Sequence, residues 1–202
     1  MTDSSRGPDQ PRVTLPLEAP TRLGVPEMIP AREHWSEFYD AHAASVYRGL
    51  RRLGVTPASL EDATQEVFLI AFERAEMFER RSSVRTWLHG IAFNVARRHF
   101  YSSSRSNAER LSEILADDRS PNQEETLARK RAVEEIYVLL DHLSPDQRAV
   151  FVLTELEQLS APEIAEITGA PLNTVYSRLR LGRREFDAAL RRRRARDDWR
   201  KP

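Results

Sequence analysis

Apolar residues recur at helical spacing through most of the chain, and only its leading stretch lacks such order. Trp35, Phe38, Tyr39, His42, Val46, Tyr47, Leu50 and Leu53 fall at steps of three and four, predicting an amphipathic helix broken by Gly54 and Pro57. A second helix is expected from about Ser59, a good N-cap with Asp62 three residues on, to about Phe78. The polar stretch Glu79–Ser83 separates it from a third helix carrying Trp87, Leu88, Ile91, Phe93 and Val95. From Tyr101 to about Asn122 the pattern gives way to serine, arginine and acids, with Leu111–Leu115 as one short candidate helix. Periodicity returns in Leu127–Leu140. Ser144-Pro145-Asp146-Gln147 then reads as a cap followed by proline at the first helical position, opening a helix over Gln147–Glu157. No stretch alternates with period two for long enough to be a strand.

Residues 160–184, SAPEIAEITGAPLNTVYSRLRLGRR, have the pattern of a helix-turn-helix. Ser160 and Glu163 form an S-x-x-E capping box, Pro162 sits where its missing N–H costs little, and Ile164, Ala165 and Ile167 supply the apolar stripe. Gly169 ends the helix where a left-handed backbone is easiest. A second helix opens near Leu172, with Val175 and Leu179 on its buried side and Tyr176, Ser177, Arg178, Arg180, Arg183 and Arg184 over the rest. The competing reading of this segment is an ordinary αα-hairpin with a solvated arginine face. The fold expected is all-α: two small helical domains joined by a flexible linker. Residues 1–30, with six of the twelve prolines, form a disordered N-terminal extension, 31–100 the first domain and 101–123 the linker. Residues 124–192 form the helix-turn-helix domain and 193–202 a basic tail.

Charge sharpens the picture. The 202-residue chain is formally neutral, with 31 basic and 31 acidic residues, yet 172–202 holds eleven Lys or Arg against four acids. Residues 136–171 hold six acids and only Arg148. One end therefore suits phosphate while another surface suits a different partner. All but two of the basic residues are arginine, whose planar fork matches phosphate and guanine edges. Cysteine is absent, which excludes disulfides and thiolate metal sites. No apolar run reaches the roughly 20 residues of a membrane span. MTDSSRGPDQPR is unlike a signal peptide, so a cytoplasmic protein is expected.

Two blocks of the chain together resemble the extracytoplasmic-function type of bacterial RNA polymerase sigma factor. EDATQEVFLIAFERAEMF followed by VRTWLHGIAFNVARR is similar to sigma region 2. The pattern falls on Asp62, Ala63, Gln65, Glu66, Val67, Phe68, Trp87, Leu88, Ile91, Ala92 and Asn94. LDHLSPDQRAVFVLTELEQLSAPEIAEITGAPLNTVYSRLR is similar to region 4. The resemblance implies a non-enzymatic initiation factor that carries core RNA polymerase to promoters. Region 4 would read the −35 element as duplex, and region 2 would open and read the −10 element. It also implies an anti-sigma factor as partner, no cofactor, and no membrane insertion of its own.

Site residues follow from the same resemblance. Asp62, Gln65, Glu66 and Leu69 share one stripe of the second helix and correspond to the surface that grips a coiled coil of the polymerase's largest subunit. Arg80, Arg81, Ser82 and Ser83 lie where the family places a loop receiving a flipped base, and Asn94, Arg97 and Arg98 follow on the next helix. Trp87 either supports that loop, lines the melted edge, or packs in the core on Phe68 or Phe72. Thr174, Tyr176, Ser177, Arg178 and Arg180 are the −35 candidates, with Arg183, Arg184 and the run Arg191–Arg194 adding salt-dependent attraction. Many family members carry basic residues where this chain has Tyr176 and Leu181. Catalysis finds no motif: the five histidines are scattered, His42 sits on an apolar stripe, and no metal site or phosphate loop is evident. Two other functions remain open at this point: a stand-alone helix-turn-helix regulator and a helical adaptor that binds no DNA.

Overall fold

In the computed structural model, which describes residues 29–30, 32–79, 82–103 and 123–199, the apolar stripes become seven α-helices. The first three are α1 (Trp35–Arg52), α2 (Leu60–Glu73) and α3 (Val84–Ser103). Phe38, Val46 and Leu50 of α1, Ala63, Val67 and Ala71 of α2, and Leu88, Ala92 and Val95 of α3 meet in one core. Each fully buried Leu, Val or Phe contributes about 1.5–3 kcal/mol. Trp35 packs edge-on against Phe72 at 5.1 Å, and His42 is buried beside Phe38.

Two boundaries differ from those the sequence predicts. Ser59 does not cap α2; Pro57–Ser59 is a 3-10 turn and the Ser59 hydroxyl accepts from Thr56 at 3.2 Å. α2 ends at Glu73 rather than near Phe78, and Ala75–Met77 forms a separate 3-10 turn. Phe78 then takes an extended conformation, which brings its ring to 5.1 Å from Trp87; a continued helix would not turn it there. Ser83 accepts the Thr86 backbone N–H at 3.0 Å and so caps the start of α3.

The second half comprises α4 (Gln123–Leu140), α5 (Pro145–Phe151), α6 (Ala161–Thr168) and α7 (Leu172–Trp199). Tyr101–Ser103 and Gln123 are helical, so the expected linker is shorter at both ends; Leu111–Leu115 lies outside the described residues. The predicted Ser160–Glu163 capping box forms, and the cap expected at Ser144 is a capping box too, with Gln147 as its partner. The helix expected over Gln147–Glu157 is α only as far as Phe151; Val152–Leu156 is a π turn, closed by the Glu157 N–H on the Val152 carbonyl at 3.0 Å. Gly169 has φ 68° and turns the chain between α6 and α7, while Ile164, Val175 and Leu179 close the helix-turn-helix core. Gly182 lets α7 cross α5 closely, since a Cβ there would lie 3.4 Å from the Gln147 carbonyl oxygen. α7 continues to Trp199, so residues 193–199 are helix rather than tail, and Arg193 pairs with Glu135 of α4 at 3.0 Å.

The halves are not merely tethered. Leu53, just past α1, packs against the buried cluster of Leu140, Leu143, Phe151 and Val152, and α3 meets α6. Among the described residues no helix is long and apolar enough to cross a membrane.

Gly169 gives a clean test of the turn, because a Cβ there would meet nothing within 4 Å and the cost is the backbone conformation alone. Gly169→Ala is expected to destabilise the helix-turn-helix half by about 1–2 kcal/mol in urea denaturation. Gly169→Asn should lose less, because asparagine tolerates the left-handed region better.

Candidate nucleic-acid interface

α2 turns Ala63, Val67 and Ala71 wholly inward, which leaves Asp62, Gln65 and Leu69 outward and Glu66 half-buried. Leu69 is 64% exposed, an apolar residue with no covering element among the described residues. Glu66 is bracketed from α3: Arg98 Nη2 lies 2.5 Å from one carboxylate oxygen and His99 Nε2 3.4 Å from the other. The stripe expected to grip a protein partner and the helix expected to meet DNA are thus joined by an ion pair.

On α3 the candidates differ in what they have free. Ser83 is occupied as helix cap, and Arg80 and Arg81 lie outside the described residues. Asn94 Nδ2 donates to the Gly90 carbonyl at 3.0 Å, and the exposed Arg97 guanidinium sits 5.7 Å from the Phe93 ring centre. Trp87 lies with its ring 5.1 Å from that of Phe78 and packs, half-buried, against the α1–α3 core cluster that contains Phe68. Ser82, Trp87, Asn94, Arg97 and Arg98 do converge, along the wall of one crevice of about 590 Å³. Its opposite wall is α6, through Glu163, Glu166 and Ile167.

α7 presents the third set. Val175 is fully buried, which fixes Tyr176 and Arg180 outward, Tyr176 being 54% exposed. Ser177 donates to the Thr174 carbonyl of its own helix at 3.0 Å. Arg178 is held by Asp146 of α5, and Arg183 by Glu155 at 2.5 Å. Arg184 pairs with its neighbour Glu185 at 3.3 Å. Leu181 is half-buried and does not take part in the outward face. These exposed pairs orient the arginines at little energetic gain, and phosphate can replace the carboxylates.

The group that sequence reasoning missed is Glu157. It is 3% exposed, at the end of the π turn, and receives Arg52 at 2.7 Å, Arg85 at 2.9 Å and His89 at 3.1 Å. All three come from the other half of the chain. Burial alone would raise the Glu157 pKa, but His89, Arg85 and Arg52 outweigh it and hold the carboxyl far below the usual range. Arg148 answers in the opposite direction, donating to the Arg52 and Arg51 carbonyls at 2.6 and 3.3 Å at the C-terminal end of α1. The Glu163 carboxylate accepts from the Ser160 hydroxyl and N–H and from Thr86 of α3 at 3.1 Å, which together lower its pKa. The signal in the sequence was only an acid at the close of an apolar run; its partners lie 105 and 72 residues away. Among the described residues no cluster of His, Asp or Glu could hold a metal ion.

Comparison with known proteins agrees with this geometry. Residues 38–106 match the family described as "Sigma-70 region 2", and residues 133–186 that described as "Sigma-70, region 4". The chain is 33% identical over 160 residues to the "ECF RNA polymerase sigma factor SigE" of Mycolicibacterium smegmatis, covering 77% of this chain and 61% of that protein. It therefore spans under two thirds of that relative's length. Against the "ECF RNA polymerase sigma-E factor" of Haemophilus influenzae it is 31% identical over 142 residues, 65% of this chain and 74% of that one. Among solved structures it shares the fold of RpoE from Bartonella quintana, determined "in complex with the anti-sigma factor NepR", at a TM-score of 0.56 and 22% identity, covering 79% and 98% of the two chains.

The depressed Glu157 carboxyl sets a pH window. A carboxylate more acidic folded than unfolded adds stability that is fully present above the usual value of 4.5 and is lost as pH falls toward the folded value. The difference in urea midpoint between the parent and Glu157→Gln is expected to stay level through neutral pH and to shrink below about pH 4.5. An undiminished difference in strong acid would refute the assignment.

Proposed function

The chain belongs to the extracytoplasmic-function group of sigma-70-type RNA polymerase sigma factors, and we propose that it works in the cytoplasm by carrying core RNA polymerase to promoters with both a −35 and a −10 element. α7 would lie in the major groove of the −35 duplex. There Tyr176 and Arg180 meet base edges, Thr174 and Ser177 lie near the helix start, and Arg178, Arg183 and Arg184 exchange their carboxylates for phosphates. α3 would take the −10 strand, with Arg97 and Arg98 on phosphate and Trp87, Asn94, Ser82 and Ser83 toward unstacked bases, joined by Arg80 and Arg81. The α2 stripe of Asp62, Gln65, Glu66 and Leu69 would grip the polymerase. No chemical step is assigned to the chain itself: its work is binding, and strand separation is repaid by contacts to the bases it frees.

The observation that carries this reading is the outward face of α7, set by the burial of Val175 and Leu179 against Ile164. An anti-sigma partner and the absence of membrane insertion are further expectations of the family reading.

The test is transcription from a linear promoter library by core polymerase with and without the chain. Defined start sites are expected only when it is present, and unchanged starts would refute the proposal. Arg180→Ala should weaken the selected −35 duplex about tenfold, one arginine–base contact being worth about 1–3 kcal/mol. Glu66→Lys should lower affinity for core polymerase without altering that duplex affinity.

A further inference from the structure

We propose that the C-terminal end of α7 carries a second nucleic-acid site, a platform for a single strand. Trp199 stacks there on an unpaired base, and Arg192 and Arg196 hold the neighbouring phosphates.

Helical phase separates this site from the face assigned to the −35 duplex. Residues 191–196, RRRRAR, form one run in the sequence, but α7 stays helical to Trp199 and distributes the run over three faces. Arg193 turns inward and pairs with Glu135 of α4 at 3.0 Å, which holds this end of α7 against the body of the protein. At about 100° per residue, Arg194 returns to the bearing of Tyr176 and Arg191 lies about 60° from it. Arg192 stands about 160° from Tyr176, and Arg196 about 160° from Arg180. Arg192, Arg196 and Trp199 therefore share a stripe of their own, at i, i+4 and i+7. A duplex seated on Tyr176 and Arg180 leaves that stripe facing away from it.

The chemistry of the stripe selects the occupant. Trp199 is 92% exposed, the most exposed large apolar side chain among the described residues. Arg192, Ala195 and Arg196 are exposed beside it, and neither arginine meets a carboxylate among the described residues. The short Ala195 leaves space on the stripe for a flat partner. Base faces inside a duplex are already stacked, so an indole gains a partner only from an unpaired base. Every base has such a face, which makes the site tolerant of sequence. The two guanidinium groups, one and two turns before the indole, supply the charge that phosphates require. RNA and DNA strands share this chemistry.

The experiment uses the full chain with oligo-dT, oligo-U and a short duplex as probes. Because α3 is itself proposed to take a strand, the readout is the emission of Trp199, isolated as the difference between the parent and Trp199→Phe. Both single strands are expected to quench it, and the one that does so at lower concentration assigns the source as RNA or DNA. Arg196→Ala should weaken the quench about threefold and flatten its log–log salt slope by about 0.7, one phosphate contact on a single strand. Arg196→Lys should restore most of that loss, because the charge is retained. Neither Arg196→Ala nor Trp199→Phe should alter affinity for the selected −35 duplex. The proposal is overturned if neither strand quenches Trp199, if the duplex quenches it as strongly, or if Arg196→Ala changes nothing. Displacement of the strand by polyglutamate at equal charge would also overturn it, since the surface would then be a plain anion patch suited to an acidic protein. Start-site selection does not enter the readout, so failure here leaves the proposed function standing.

Discussion

A carboxylate taken almost wholly out of water is tolerable only if positive charge and hydrogen-bond donors meet it, and Glu157 meets the guanidinium groups of Arg52 and Arg85 and the His89 ring within 3.1 Å. Desolvation of such a group costs several kcal/mol, so an incomplete set of partners would leave the closed arrangement unfavourable. Two devices supply the geometry. The π turn at Val152–Leu156 alters the exit of α5 just before Glu157, and Gly49 leaves room for the His89 ring, which a Cβ there would approach to 3.2 Å. Arg148 completes the reciprocity by binding the last carbonyls of α1, with its guanidinium beside the left-handed Gly54. Charged hydrogen bonds thus join the halves beside the apolar contacts of Leu53 and Ile167.

A polar junction of this kind suits a protein that must change shape. An apolar seam would hold the halves together in water, whereas charged groups regain hydration when they part, so the two arrangements can lie close in free energy. α6 joins the two halves: its inner side, through Ile164, packs on Val175 and Leu179 of α7, and its outer side, through Glu163, Glu166 and Ile167, lies against α3. The Arg98–Glu66 pair ties the α3 face proposed to take the DNA strand to the α2 stripe proposed to contact polymerase.

What was legible beforehand was local. The stripe of α1, the cap at Ser144, the Ser160 capping box, the turn at Gly169 and the buried pair Val175–Leu179 each depend on residues within a few positions of one another, and each took the expected form. Failures came where a distant contact overrode a local preference. α2 stops at Glu73, short of Phe78, whose ring meets Trp87, whereas Ser59 lost its capping role to a local rival, the 3-10 turn in which it accepts from Thr56. Basic residues after Leu190 looked like a tail, yet Arg193 finds Glu135 and the helix continues. Glu157 was invisible for the same reason: nothing near it in the chain announces partners in the other half.

The most direct measurement is the distance between spin labels on α3 and α6, placed at exposed positions of an otherwise cysteine-free chain, read by pulsed electron resonance. A single short, narrow distribution is predicted for the free chain, replaced by a long one when the chain sits with core polymerase on an opened promoter. The same short distribution in both states, with promoter opening intact, would contradict the account.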